Sequence, residues 1–146
     1  MKRDAVGRPM EILLVEDDLE DAGMTIEALR QGDVPCRISL VCDGDEAMAF
    51  LLHQQQYRRA PRPDLILLDM NLPKKDGREV LAAVRANVQL TTVPVIVLTS
   101  SRGHEALLQS QNLHFDSFLT KPVDLAQFSA VVKSLRKYML SDVIFP

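Results

Sequence analysis

The sequence lacks the features that mark several large classes of protein. Its longest apolar runs stop far short of a membrane span, and its basic first residues are not followed by the apolar segment of a secretory signal. The net charge is only -3, with acids and bases interspersed, so the broad basic surface typical of nucleic-acid binders is missing. Cys-x-x-Cys, His-Glu-x-x-His and glycine-rich phosphate loops are also absent. We therefore expect no nucleic acid and no membrane among the partners.

Cysteine is scarce. The chain has 2 cysteines, Cys36 and Cys42, and both lie around one predicted strand. Six residues of extended chain separate two Cα atoms by about 20 Å, whereas a disulfide requires less than about 7 Å. We expect two reduced thiols and a cytoplasmic location.

Short apolar runs alternate with segments of helical spacing in a chain whose length, 146 residues, fits one domain. The runs predict strands at residues 11–15, 37–41, 65–68, 93–98 and 116–119. Helices are predicted from residue 19, from residue 43, after residue 77, around 105–111 and from residue 124; the first should bury Leu19, Ala22, Ile26 and Leu29. Five strands alternating with five helices predict an α/β fold, a doubly wound parallel sheet of order 2-1-3-4-5 with helices on both faces.

Polar residues follow four of the predicted strands where each strand ends. They are Glu16 and Asp17 after the first strand, Asp69 after the third, Thr99 after the fourth and Lys121 after the fifth. In a sheet of this order those strands are neighbours, so the side chains should converge on one crevice. Clustered carboxylates repel unless a cation joins them, and hard oxygen ligands suit magnesium. We expect Mg²⁺ between Asp17 and Asp69.

Such a site can carry phosphoryl chemistry. One oxygen of Asp69 can bind the metal while the other attacks phosphorus in line and forms an aspartyl phosphate. Lys121 would offset charge on the phosphoryl oxygens, and the Thr99 hydroxyl could donate a hydrogen bond to one of them.

The chain resembles the receiver domain of two-component response regulators over residues 11 to about 138. The resemblance is carried by Val15-Glu16-Asp17, by Leu68-Asp69-Met70-Asn71-Leu72-Pro73 with Asp76-Gly77, by Leu98-Thr99-Ser100 and by Lys121-Pro122. It implies the flavodoxin-like receiver fold, with Asp69 as phospho-acceptor, Glu16 and Asp17 as the acidic pair, Thr99 as the switch hydroxyl and Lys121 facing the phosphate. It also implies that Mg²⁺ takes Asp17, Asp69 and the backbone carbonyl of Asn71, with Glu16 reached through water.

The resemblance further implies a conformational switch. Thr99 would move toward the phosphoryl group, and Phe118, three residues before the lysine, would turn inward to fill the vacated space. Phe118 lacks the hydroxyl of the tyrosine common at this position, so its two states would differ mainly in apolar burial; taken alone, it reads as an ordinary core residue. The family also implies a cis peptide bond between Lys121 and Pro122.

More narrowly, the chain is similar to single-domain regulators that partner phytochrome-type histidine kinases. The features concerned are the segment 71–81, a polar connection at 53–62 and an extended C-terminal segment. We expect a flexible tail at 1–10, a receiver domain at 11–139 and a C-terminal arm at 140–146, with no output domain, so that signalling proceeds through protein contacts. The arm either folds back on its own domain or, as the resemblance favours, exchanges within a homodimer alongside the last helix.

Three other functions fit parts of the pattern. A haloacid dehalogenase-type phosphatase also uses a strand-end aspartate and magnesium, but it carries Asp-x-Asp where this chain has Asn71. A flavodoxin-like cofactor binder would follow its first strand with a loop rich in Ser, Thr and Gly rather than with three acids. A receiver-like module that only binds partners would not need the intact set of site residues. We expect a phosphorelay switch, not a turnover enzyme.

Overall fold

The computed structural model describes residues 8–32, 35–72, 74, 76–99 and 113–135. The strands are β1 (Met10–Val15), β2 (Cys36–Val41), β3 (Leu65–Asp69), β4 (Val95–Thr99) and β5 (Ser117–Thr120). The helices are α1 (Leu19–Arg30), α2 (Gly44–Leu51), α3 (Gly77–Ala86) and α4 (Leu125–Ser134). These residues contain four α-helices instead of the five predicted, because the helix expected around 105–111 lies outside the described residues. None of the described helices is both long and apolar enough to cross a bilayer.

The strands form one parallel sheet in the order β2-β1-β3-β4-β5, so the predicted order is confirmed. The inner strands β3 and β4 are buried along their whole length, as expected for strands covered by helices on both faces. One apolar cluster lies between the sheet and α2 and α3, and a second lies between the sheet and α1 and α4.

Burial on α1 differs from the prediction at Leu19 and Thr25, and the predicted Ile26 is only half-buried. Leu19 was expected on the inner face but is 69% exposed, whereas Thr25 is buried. Leu19 is the first residue of the helix, directly after the N-cap Asp18, whose carboxylate accepts from the backbone N–H of Glu20 and of Asp21. The first turn therefore projects beyond the core, and the buried stripe runs through Ala22, Thr25 and Leu29.

The polar connection at 53–62 is partly ordered against the core. It contains a short 3-10 helix, Gln55–Tyr57, and the ring of Tyr57 lies 5.3 Å from the ring of Phe50. Periodicity did not reveal this contact, since a single aromatic residue anchors the segment.

Contacts of the folded domain begin at Arg8, inside the segment 1–10 that was predicted to be a flexible tail. Met10 already belongs to β1, and both Nη atoms of Arg8 donate to the Asp64 carboxylate at 2.7 and 2.8 Å. The same carboxylate accepts from the backbone N–H of Glu11. Residues 8–10 are thus part of the folded domain, while residues 1–7 of the expected tail lie outside the described residues.

A partly buried ion pair fixes where β5 begins. Arg85 on α3 donates to Asp116 Oδ2 at 2.8 Å, and the same oxygen accepts from the backbone N–H of Val95 at 2.7 Å. These bonds tie the starts of β4 and β5 together and thereby set the position of Lys121 at the other end of β5.

Candidate phosphoryl-acceptor site

The register of the sheet brings the carboxyl ends of four neighbouring strands, β1, β3, β4 and β5, to the same edge. Val15 pairs with Leu68, Asp69 with Leu98, and Thr99 with Thr120. The five predicted polar side chains therefore lie at one edge of the sheet, at the end of a strand or within two residues after it: Glu16, Asp17, Asp69, Thr99 and Lys121. The predicted convergence of the strand ends is confirmed for Glu16, Asp69 and Lys121, whose side chains meet.

Three carboxylates form a compact group at this edge. Glu16, Asp17 and Asp69 each offer an oxygen within 4.8 Å of the others. Glu16 is fully buried and Asp69 is 4% exposed, whereas Asp17 faces solvent. An all-oxygen donor set with one open side fits a hard divalent cation, which keeps several water ligands.

The Lys121 ammonium contacts three acids. Its Nζ lies 2.9 Å from Asp21 Oδ2, 3.0 Å from Glu16 Oε1 and 3.4 Å from Asp69 Oδ2. Glu16 and Asp69 were predicted to lie near Lys121, but Asp21 was not predicted to belong to the site.

Both oxygens of Asp69 have a hydrogen-bond donor. Asp69 Oδ2 faces Lys121, and Oδ1 accepts from the backbone N–H of Asn71 at 3.2 Å. The carboxylate is therefore held in one orientation by groups that follow two different strands, β3 and β5. The Asn71 side chain itself is exposed.

Burial and close charges shift two ionisable groups. Burial, together with the neighbouring Asp69 carboxylate, raises the pKa of Glu16 to about 7, although the hydrogen bond from Lys121 opposes this shift. Burial by itself disfavours the Lys121 ammonium, but its hydrogen bonds to Asp21 and Glu16 prevail and raise the pKa of Lys121 above the ordinary lysine value.

The two predicted switch residues lie on neighbouring strands. Thr99 is buried at the end of β4, and its carbonyl accepts a hydrogen bond from the backbone N–H of Lys121 at 2.9 Å. Phe118 is half-buried and packs against the apolar cluster beneath α2 and α3. The peptide bond between Lys121 and Pro122 is cis, as the resemblance implied.

The sequence model of the response regulator receiver domain matches residues 12–133 of this chain. The chain belongs to the receiver-domain family of response regulators. This receiver domain is 42% identical over 138 residues to the response regulator Rcp1 of Synechocystis sp., with 94% of each chain covered.

Solved structures of phytochrome response regulators are similar to this receiver domain. The bacteriophytochrome response regulator AtBRR superposes with a TM-score of 0.83 at 37% identity, covering 88% of this chain and 94% of AtBRR. The phosphorylated cyanobacterial phytochrome response regulator RcpA gives a TM-score of 0.74 at 42% identity, covering 95% of this chain and 99% of RcpA. Rcp1 itself has been solved in a Mn²⁺-bound form, with a TM-score of 0.73 and coverage of 94% and 99%. The predicted similarity to phytochrome-partnered regulators is thus confirmed.

Asp21 is the site residue of this receiver domain that sequence reasoning missed. It lies on the first turn of α1, next to buried Ala22 and four residues before buried Thr25. Helical spacing therefore places it at the border of the buried stripe, on the side of the strand ends. The sequence signal that could have revealed Asp21 is an acid at such a border, three residues after the aspartate N-cap.

Proposed function

We propose that this protein is a phosphorylation-controlled switch in which Asp69 accepts a phosphoryl group from a histidine kinase in a magnesium-dependent reaction. The observation that carries the proposal is the arrangement around Asp69: a nearly buried carboxylate with both oxygens held, one ammonium 3.4 Å away and two further acids beside it. A purely structural aspartate would not need a group of neighbouring carboxylates, because that group costs electrostatic repulsion.

In the proposed reaction, a lone pair on an Asp69 oxygen forms the new bond to phosphorus. The bond between phosphorus and the phosphohistidine nitrogen of the kinase breaks at the same time, and its electron pair leaves with that nitrogen. The hydrogen bonds from Asn71 and Lys121 orient the carboxylate before attack, which lowers the entropic cost of reaching the in-line geometry. Lys121 then offsets charge on the phosphoryl oxygens, and the Thr99 hydroxyl donates a hydrogen bond to one of them.

Asp17 and Asp69, together with the backbone carbonyl of Asn71, would hold the metal, and Glu16 would reach it through water. Magnesium, when bound there, supplies positive charge beside the phosphoryl oxygens. The closeness of the three carboxylates supports this assignment, as does the Mn²⁺-bound form of Rcp1.

We propose that Thr99 and Phe118 transmit the change. Thr99 would move toward the phosphoryl group, and Phe118, which already packs partly against the core, would turn further inward. Because the Phe118 ring carries no hydroxyl, deeper burial costs no hydrogen bond.

The partners follow from the relatives. The similarity to AtBRR and RcpA supports a phytochrome-type kinase as phosphoryl donor, and the signal would leave through protein contacts of this domain.

We also propose a homodimer that uses the last helix and the arm at 140–146. We also propose a cytoplasmic location, in keeping with the scarcity of cysteine in the sequence.

The test is incubation with acetyl phosphate and Mg²⁺, followed by intact mass spectrometry. Wild type should gain the mass of one phosphoryl group, and Asp69→Asn, which keeps the shape of the side chain, should gain none. Asp45→Asn is the matched control, because Asp45 is an exposed acid on the first turn of α2 and is not among the described residues that contact Asp69 or Lys121. EDTA should suppress the gain in wild type.

The outcomes separate the competing functions. A mass gain that survives Asp69→Asn would move the acceptor to another residue. No gain in any sample would favour a module that only binds partners. Phosphate release in continuous turnover from phosphomonoesters would favour the phosphatase.

A further inference from the structure

Lys121 has as many strong hydrogen-bond partners as it has protons to donate. An ammonium group carries three N–H donors, and the Nζ atom lies within 3.4 Å of Asp21, Glu16 and Asp69. A hydrogen bond from Lys121 to a phosphoryl oxygen therefore competes with these contacts.

The three acids differ in how easily they can be released. The Glu16 side chain is 0% exposed and the Asp69 side chain 5%, whereas the Asp21 side chain is 36% exposed. A carboxylate that loses its partner inside the protein remains unsolvated, but one at the surface regains hydrogen bonds from water. Of the two acids that remain carboxylates once Asp69 is phosphorylated, Asp21 is thus released at the lower cost.

The position of Asp21 on α1 lowers that cost further. Asp21 lies on the first turn of the helix, where the helix dipole stabilises a negative charge whether or not an ammonium is present. Glu16 lacks such a position, since it follows β1 and is enclosed by the site.

We infer that Asp21 is a positioning residue that holds the Lys121 ammonium while Asp69 is unmodified and gives it up to the phosphoryl group. This inference rests on the proposed function. Asp21 stabilises the unphosphorylated state selectively, because its bond to Lys121 is made fully only there. It therefore sets how readily the lysine becomes available, and its removal shifts the balance toward the phosphoryl-bound state.

The experiment measures binding of beryllium trifluoride, a mimic of the phosphoryl group, in the presence of Mg²⁺ by ¹⁹F NMR titration. Asp21→Asn keeps the shape of the side chain but removes its charge, and the mimic should then bind about five-fold more tightly, as expected for loss of a partly exposed ion pair. Asp21→Glu restores a carboxylate within reach of Lys121, and its affinity should return to the wild-type value.

Glu20→Gln is the matched control. Glu20 lies on the same turn and carries the same charge, but it is exposed and forms no ion pair with any residue that the structure describes. If Glu20→Gln strengthens binding as much as Asp21→Asn does, the effect is a general change in charge and the inference is overturned. It is also overturned if Asp21→Asn binds the mimic as wild type does or more weakly. Asp21→Ala gives the same comparison should the amide variant fail to fold.

The experiment also separates this inference from the proposed function. A wild-type protein that binds no beryllium trifluoride and takes no phosphoryl group from acetyl phosphate contradicts the proposed function itself. A wild type that does both, with an unchanged Asp21→Asn variant, contradicts only the role of Asp21.

Discussion

Glu16 shows how strongly a single residue depends on its surroundings in this site. Its Oε1 accepts from Lys121, and its Oε2 accepts from the backbone N–H of Asp18 at 3.3 Å, so the carboxylate is hydrogen-bonded at both oxygens. Burial and the Asp69 charge nevertheless raise its pKa to about 7. Ionising Glu16 therefore costs the metal-free protein free energy near neutral pH, and a cation beside it would remove that cost.

This shift predicts a pH dependence of stability. The pKa of Glu16 rises from 4.5 in the unfolded chain to about 7 in the folded one. Its contribution to stability is fully present below pH 4.5 and is lost as the pH rises to about 7, because the unfolded state gives up its proton first. Over this range the metal-free protein should lose on the order of 2 kcal/mol of unfolding free energy from this group.

Urea unfolding in EDTA at about pH 5 and about pH 8 measures the effect. Glu16→Gln cannot titrate, so its unfolding free energy should change less between the two pH values than that of wild type. Glu20→Gln removes an exposed acid and should keep the wild-type change. Equal pH dependence in Glu16→Gln and wild type would contradict the assignment.

At the scale of single residues, the sequence predicted the position of Asp69 and most of the residues around it. Asp69 could be found because it ends an apolar strand, and Lys121 because it directly follows a short one. Asp21 could not, since its partner lies 100 positions away and the choice between Asp18, Glu20 and Asp21 depends on the rotation of α1 about its axis.

At the scale of the elements, the start of α3 is tightly constrained by its cap and by its distance from β3. Asp76 caps the helix by accepting from the backbone N–H of Glu79, and Glu79 accepts in return from the backbone N–H of Asp76. This capping box starts α3 immediately above β3. A Cβ atom on Gly77 would lie 2.5 Å from the Asp69 carbonyl oxygen and 2.7 Å from Met70 Cα. Only glycine lets the start of α3 approach the end of β3 this closely.

Gly77→Ala should therefore damage both stability and function. The new methyl group meets backbone atoms that cannot move without displacing Asp69, so we expect a loss of about 2 kcal/mol in unfolding free energy. Phosphoryl uptake from acetyl phosphate should also become slower, since displacement of the Asp69 carboxylate would weaken its hydrogen bonds to Asn71 and Lys121. Chemical denaturation and intact mass spectrometry measure the two effects.

Gly23→Ala is the control on another helix. A Cβ atom at Gly23, in the middle of α1, would have nothing within 4 Å, so alanine should stabilise the protein by about 0.5–1 kcal/mol through its higher helix propensity. Equal changes in unfolding free energy for Gly23→Ala and Gly77→Ala would show that the close approach at Gly77 carries no steric cost.

Element boundaries were predicted less well than element types. Strands β1 to β5 all coincide with short apolar runs in the sequence, because a strand that is covered on both faces needs only a short apolar segment. Exposure of Leu19 and packing of Tyr57 on Phe50 were not predicted, because both depend on where a helix end or a loop meets the rest of the core.

At the scale of the whole molecule, the proposed homodimer makes the arm at 140–146 testable. This segment carries Val143, Ile144 and Phe145, three large apolar residues in succession, and burying them against a second subunit would remove apolar surface from water. Deleting 140–146 should therefore convert a dimer into a monomer, as measured by light scattering after size-exclusion chromatography.

Deletion of residues 1–7 is the control, because it removes a segment of the same length and leaves the Arg8 contact to Asp64 in place. If the arm deletion leaves the molecular mass of the assembly unchanged, the arm does not belong to the interface. The described residues of α4 would then remain as the proposed contact.

The sequence by itself determined the alternation of strands and helices, the order of the chemistry-bearing residues and the kind of site they form. These properties are local, because they depend on apolar periodicity and on which side chain follows each strand. Only the tertiary structure decided that Glu16 is buried while Asp17 is exposed, and that Asp21 shares the ammonium of Lys121. Such properties depend on desolvation and on how separate elements pack against each other, and neither is encoded in a short segment of sequence.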